Sequence, residues 1–289
     1  MRSVSKSKLF RFLRSLAVGW LALVLIVGVW QRSFIYFPSH APENVLLANA
    51  RDLRLEPWRD TSSAVIGWKT GARPDRPPAA NRMVVFHGNA GYALHRAHYI
   101  AGFEQLDAGR TWEVYVFEYP GYGARPGELG EKSFTTAALA ALSALAAADP
   151  RPIYLLGESI GSGPACAIAG REPQRVAGLC LLTPFARLGD VASHHYPFLP
   201  VGLILRDRWE NVAALRGYTG RLAMRLAAED EIIPMAQGRS LFDRFAGPKR
   251  LWIESGAHHN GLDFEPSNPW WREASDFLLG RASPAAAAN

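Results

Sequence analysis

From residue 83 onward the chain alternates two hydrophobic patterns. Short, almost unbroken apolar runs at 83–86, 114–117, 153–156 and 176–182 carry none of the polar alternation of a half-exposed strand, which suits parallel strands buried on both faces. Two further runs, 221–226 and 249–253, extend the series. Helical stretches fall between them at about 92–106 and 133–148, after Gly163, and at about 270–279. Strands that alternate with helices in this way predict a mostly parallel sheet with helices on both faces, an α/β architecture. Upstream, 51–58 and 64–68 with polar residues between them read as a hairpin, bringing the expected sheet to eight strands, and the proline-rich 71–78 reads as a surface loop. The alternation breaks between Phe185 and Arg216, where Pro197 and Pro200 stand among Tyr196, Phe198 and Trp209. This stretch is expected to form a cap, or else a longer connection with one helix.

The amino-terminal pattern differs. Residues 15–31 hold no charge and 16–30 are almost wholly apolar. At a rise of ~1.5 Å per residue they span about 25 Å, slightly short of a ~30 Å hydrocarbon core. Arg14 and Arg32 can snorkel outward, and Trp30, Phe34 and Tyr36 supply an interfacial aromatic belt. A cleaved signal peptide competes with a transmembrane anchor, but the apolar run is long for a signal core. The nearest small-x-small triplet, Ser39-His40-Ala41, also lies well past its end. Basic residues precede the span in excess, so the expected single-pass topology puts residues 1–14 in the cytoplasm and the bulk of the chain outside it, in the periplasm if the cell is bacterial. The domain is expected over 45–282, with a disordered tail at 283–289.

Composition changes this picture little. The chain has 289 residues, 48% of them hydrophobic, enough for a buried core. Its net charge of +6 includes Arg2, Lys6, Lys8, Arg11 and Arg14; without these five it falls to +1. No basic footprint for nucleic acid remains. Cys166 and Cys180 are too few for a disulfide framework or a cysteine-rich metal site, and both are expected in the core.

The chemistry gathers where the apolar runs end. Gly157-Glu158-Ser159-Ile160-Gly161 follows the run at 153–156, the setting of a nucleophile elbow, in which a strand turns sharply into a helix and exposes a serine at the turn. Small flanking residues are needed because a Cβ there would strike the neighbouring backbone. The loop His87-Gly88-Asn89-Ala90-Gly91 follows the run at 83–86 and is the natural oxyanion hole, with Asn89 and Ile160 as the expected N–H donors. An acid from Glu229-Asp230-Glu231 and a histidine from His258-His259 follow the last two runs, in the chain order serine, acid, histidine found on such sheets. Gly121, Gly123 and Gly127 miss dinucleotide spacing by one residue, so no nucleotide is implied. The pairs His95/His98 and His194/His195 sit in no zinc motif and lack a defined third ligand; no metal or other cofactor is expected. His87 is expected to support its loop rather than transfer protons.

Together His87–Gly91, Tyr119-Pro120-Gly121-Tyr122-Gly123, the elbow, Asp230-Glu231-Ile232-Ile233-Pro234 and Ala257-His258-His259-Asn260 resemble the α/β-hydrolase superfamily, in particular its Bem46-like serine hydrolases. That branch is similar to the acyl-protein depalmitoylases of the α/β-hydrolase-domain group. The resemblance selects His259, which directly precedes asparagine, and Asp230, four residues before proline. It differs at His258, where the family often has glycine, and at Gly261, where an acidic residue is frequent. It implies a Ser159-His259-Asp230 triad acting on esters or thioesters through an acyl-enzyme. Tyr196, Phe198, Leu199 and Leu203 of the cap would offer apolar surface to a small or lipid-like acyl substrate. A peptidase of the same fold and a non-catalytic binding scaffold are the competing functions, and the sequence does not set the oligomeric state.

Overall fold

The computed structural model describes residues 6–74 and 77–281. The tail expected at 283–289 and the first five residues of the basic segment lie outside the described residues. The main sheet has eight strands, here β1 (Leu55–Arg59), β2 (Val65–Thr70), β3 (Asn81–Phe86), β4 (Trp112–Phe117), β5 (Ile153–Glu158), β6 (Val176–Leu182), β7 (Arg221–Ala227) and β8 (Lys249–Glu254). Their order is β8-β7-β6-β5-β3-β4-β2-β1. All pairings are parallel except β1 with β2 and β2 with β4.

The register decides where a site can form. Phe86 pairs with both Phe117 and Gly157, Glu158 with Leu182, and Glu254 with Ala227. The carboxyl ends of the central strands are therefore level, and every loop carrying candidate chemistry leaves the sheet at that edge.

All six residues of β3 are buried, and the alternating side chains divide between two cores. Val84 and Phe86 join Leu155, Leu181 and Met224 on the face covered by α4 (Glu131–Ala148), α5 (Ser162–Arg171) and α9 (Met235–Arg244). Met83 and Val85 join Leu156 and Cys180 on the other, under α2 (Glu43–Asp52), α3 (Ala97–Glu104) and α10 (Trp270–Leu278). Cys166 belongs to the first core and Cys180 to the second, so the sheet separates the two free thiols. Burial in an apolar setting pushes the Cys180 thiol up to about 12.

Three local expectations are corrected. Residues 51–52 close α2 rather than open a strand, because α2 buries Leu46 and Ala50 one turn apart against the sheet. The stretch expected as one helix at 92–106 starts as a 3₁₀ turn over Ala93–Arg96 before α3, and a second 3₁₀ turn follows at Leu106–Gly109. Phe185 to Arg216, expected as a cap or else a connection with one helix, carries three short helices, α6 (Leu188–His195), α7 (Val201–Ile204) and α8 (Asn211–Ala214), so the single helix of the alternative is corrected.

The amino-terminal helix α1 runs Lys6–Ile35, longer than the apolar span because neither flank contains a helix breaker. It is a candidate membrane span, and none of its most apolar 18-residue stretch is buried against the rest of the chain. The chain then makes a two-residue parallel ladder, Phe37–Pro38 with Ala90–Gly91, clipping the exit from α1 onto the loop after β3.

Candidate active site

The turn out of β5 is tight enough to dictate its residues. Ser159 has φ +54°, a left-handed conformation that costs a non-glycine residue about 1–3 kcal/mol. A Cβ on Gly157 would come within 2.7 Å of the Gly161 carbonyl, and one on Gly161 would overlap the carbonyl of Phe86. The turn thus needs both glycines for backbone contact, and α5 begins directly after it. Inside the turn, the Ser162 hydroxyl donates to the Ser159 carbonyl at 2.7 Å, and the Asn211 amide donates to Ser162 Oγ and to the Phe185 carbonyl, both at 3.0 Å.

Ser159 Oγ lies 2.9 Å from His259 Nε2. His259 Nδ1 lies 2.9 and 2.8 Å from the two oxygens of Asp230, whose side chain is 2% exposed. Asp230 is held by the backbone N–H groups of Ile232 and Ile233, which donate to its Oδ1 at 3.0 and 2.7 Å. The neighbouring acids point elsewhere. The Glu231 carboxylate meets the His258 ring and accepts the His259 backbone N–H, each at 3.2 Å, and Glu229 faces His258. The loops after β7 and β8 thus bring Asp230 alone to the ring of His259.

The loop after β3 is braced from three sides. The Tyr119 hydroxyl donates to the His87 carbonyl at 2.8 Å and the Tyr122 hydroxyl to that of Asn89 at 2.7 Å. The Phe37 N–H also donates to the Asn89 carbonyl, and the Asn89 side-chain amide donates to the Ile35 carbonyl at 3.2 Å. The Asn89 side chain therefore fastens α1, leaving its backbone as the group that can serve the site. Fully buried His87 packs against Tyr119, with the two rings tilted by 50°, and donates from Nδ1 to the Gly88 carbonyl.

Two parts of the site lay beyond sequence reasoning. The Tyr-Pro-Gly-Tyr-Gly loop braces the loop after β3, a role only tertiary contact reveals. Glu158 forms an ion pair with Arg96 at 2.7 Å, tying the elbow to the turn before α3. Burial pushes the Glu158 carboxyl up, but the Arg96 charge and hydrogen bond outweigh it and hold the group below the usual carboxylate range.

A cavity of about 320 Å³ opens beside Ser159, Ile160 and Asn89. Its walls come from α6 (Leu188, Val191, Tyr196 just beyond its end), from Ile232 and Ile233 of the acid loop, and, unforeseen, from Phe34 and Ile35 at the end of α1. Of the four cap residues expected to meet an acyl chain, Tyr196 lines this cavity; Phe198, Leu199 and Leu203 do not. A second cavity of about 350 Å³, bordered by Trp112 and Arg151, lies at the opposite edge of the sheet, away from these groups.

A serine at a strand-to-helix turn, followed along one sheet edge by an acid after β7 and a histidine after β8, defines the α/β-hydrolase class. Residues 81–217 match the family described as "alpha/beta hydrolase fold". The chain is 30% identical over 256 residues to protein Rv2307c of Mycobacterium tuberculosis, covering 84% of this chain and 86% of that protein. It is 25% identical to protein bem46 of Schizosaccharomyces pombe, over 82% and 81% of the two chains. It therefore belongs to the α/β-hydrolase superfamily, in its Bem46-like branch. Among solved structures, the Pyrococcus furiosus esterase Pf2001 shares the fold with a TM-score of 0.63, at 14% identity, over 86% of this chain and 99% of that one.

Proposed function

We propose that this protein is a membrane-anchored serine hydrolase that cleaves carboxylic esters or acyl thioesters through an acyl-enzyme. One observation carries the reading: the unbroken hydrogen-bonded series Ser159, His259, Asp230 at the wall of an apolar cavity. Ser159 Oγ attacks the acyl carbonyl carbon as its proton passes to His259 Nε2. Asp230 fixes the tautomer with the proton on Nδ1 and stabilises the imidazolium. The tetrahedral oxyanion accepts hydrogen bonds from the backbone N–H groups of Ile160 and Asn89, and one such donor is worth about 2.7–4 kcal/mol. His259 then gives its proton to the departing alcohol or thiol, and a water activated by the same ring releases the acid and restores Ser159. The predominantly apolar cavity walls favour an acyl chain over a charged peptide terminus. Through α1 the amino terminus faces the cytoplasm and the catalytic domain the other side.

The test is hydrolysis by the full chain in detergent of acyl esters of graded length, acyl thioesters and aminoacyl amides. Turnover of esters or thioesters that is lost in Ser159→Ala supports the reading, and turnover confined to the amides contradicts it.

A further inference from the structure

Phe198, Leu199 and Leu203, which miss the cavity, belong to a different stretch of surface. The run Tyr196-Pro197-Phe198-Leu199-Pro200-Val201-Gly202-Leu203-Ile204-Leu205 contains no charged side chain and ends abruptly at Arg206-Asp207-Arg208. It lies along α1. The Trp20 indole N–H donates to the Phe198 carbonyl at 2.9 Å, and the Gln31 amide donates to the Ile204 carbonyl at 2.8 Å while accepting the Arg206 N–H at 2.7 Å. Trp20 and Gln31 are about 16 Å apart along the helix axis, close to the ~15 Å of hydrocarbon in one leaflet. The uncharged run and the apolar helix therefore occupy the same depth.

They also leave that depth together. Arg32, the first charge after the apolar part of α1, pairs with Asp207 at 3.2 Å, and the Tyr36 hydroxyl donates to the same carboxylate. Arg206 and Arg208 stand exposed beside it. Below this polar belt Phe198 is 57% and Leu203 87% exposed, large apolar side chains with no protein to cover them.

Most of the run's backbone N–H groups are also paired or missing, as hydrocarbon favours, where an unpaired polar group is costly. Pro197 and Pro200 have no N–H, and those of Tyr196, Leu199, Val201, Leu203, Ile204 and Leu205 donate to carbonyls of Ala192, Tyr196, Leu199, Pro200 or Val201. Trp20 and Gln31, two of the polar donors in the apolar helix, bond to two of the run's carbonyls.

We propose that residues 196–205 are buried in the leaflet beside α1, with the membrane surface at Arg32, Arg206 and Arg208, and that the site draws its acyl substrate from that leaflet. The cavity by Ser159 is walled by Phe34, just past Arg32, and by Tyr196, at the end of the run that reaches Trp20, so it faces the leaflet from the headgroup boundary inward. A scissile carbonyl would sit there while its chain remained in the hydrocarbon. Insertion rests on α1 spanning the membrane; delivery rests also on the acyl-hydrolase reading above.

Insertion is tested on the full chain in nanodiscs whose lipids carry brominated acyl chains, with a bimane label on Leu203→Cys or, as a control at the opposite edge of the sheet, Gln174→Cys. Fully buried Cys166 and Cys180 do not compete for the label. Quenching at position 203 and none at 174 is expected; equal emission at both, unchanged by bromination, overturns insertion whatever the enzyme's activity. Delivery is tested with Leu203→Glu, outside the cavity. It should hydrolyse a short soluble ester in detergent at the wild-type rate but lose about tenfold or more on a long-chain acyl thioester embedded in nanodiscs, since a charge is costly in hydrocarbon. Unchanged hydrolysis in the bilayer, or an equal loss in detergent, overturns delivery. A wild-type protein that cleaves no acyl substrate in detergent would fail the hydrolase reading while leaving the quenching result to judge insertion.

Discussion

At the scale of single residues, the proposed catalysis depends on which of three consecutive acids serves His259. Asp230 is buried, fixed by two backbone N–H groups and within 2.9 Å of the ring, whereas Glu231 reaches only the His259 backbone and His258. Asp230→Asn should lower kcat on the order of 10⁴-fold, the loss expected when the orienting acid of a serine triad is amidated. Glu231→Gln and Glu229→Gln should cost less than about tenfold, as exposed ion pairs contribute little. Steady-state kinetics of the three variants check the order, and a larger loss at either glutamate would move the acid. From residues alone the three acids were equivalent, since each follows β7 within one turn. Only the resemblance to a known motif selected among them. The elbow was legible without it, because glycine at 157 and 161 and a serine between them answer a steric demand that the strand-to-helix turn imposes.

At the scale of elements, the buried strands announced themselves: an apolar run with both faces covered has no polar alternation to obscure it, and β6 has the bounds that its run predicts. The helix α2 was hidden because its apolar face is narrow, Leu46 and Ala50, and Arg51-Asp52 merges with the alternating pattern of β1. Contacts between elements left no periodic trace at all. Arg96 and Glu158 stand 62 residues apart and join the elbow of β5 to the turn before α3. Because the folded carboxyl is held below its ordinary range, its stabilisation is complete above the unfolded value of about 4.3 and is lost as pH falls through the folded one. Glu158→Gln should therefore be less stable than wild type by about 1–3 kcal/mol at pH 7, a figure reduced for partial exposure from that of a fully buried pair. Thermal melting in detergent from pH 7 to pH 3 should show the two proteins converging in acid. A gap that stays constant over this range would mean that the charge on Glu158 is not what stabilises the elbow.

At the scale of the whole molecule, one sheet edge gathers everything: the elbow, the braced loop after β3, the acid and histidine loops, and the end of α1. The sequence reading separated an anchor from a domain, since hydropathy describes each segment alone. In the folded chain α1 supplies Phe34 and Ile35 to the cavity wall and is clipped to the loop after β3 through Phe37–Pro38 and Asn89. Helix α1 and the site form one unit, and its chemistry rests on whether Ser159 is an activated nucleophile. The most direct measurement is intact-protein and peptide mass analysis of the full chain after treatment with a fluorophosphonate at neutral pH in detergent. A single phosphonyl adduct on Ser159 is expected, absent in Ser159→Ala and formed far more slowly in His259→Ala. A folded protein that acquires no adduct, or that carries it on another residue, would contradict the proposed catalysis.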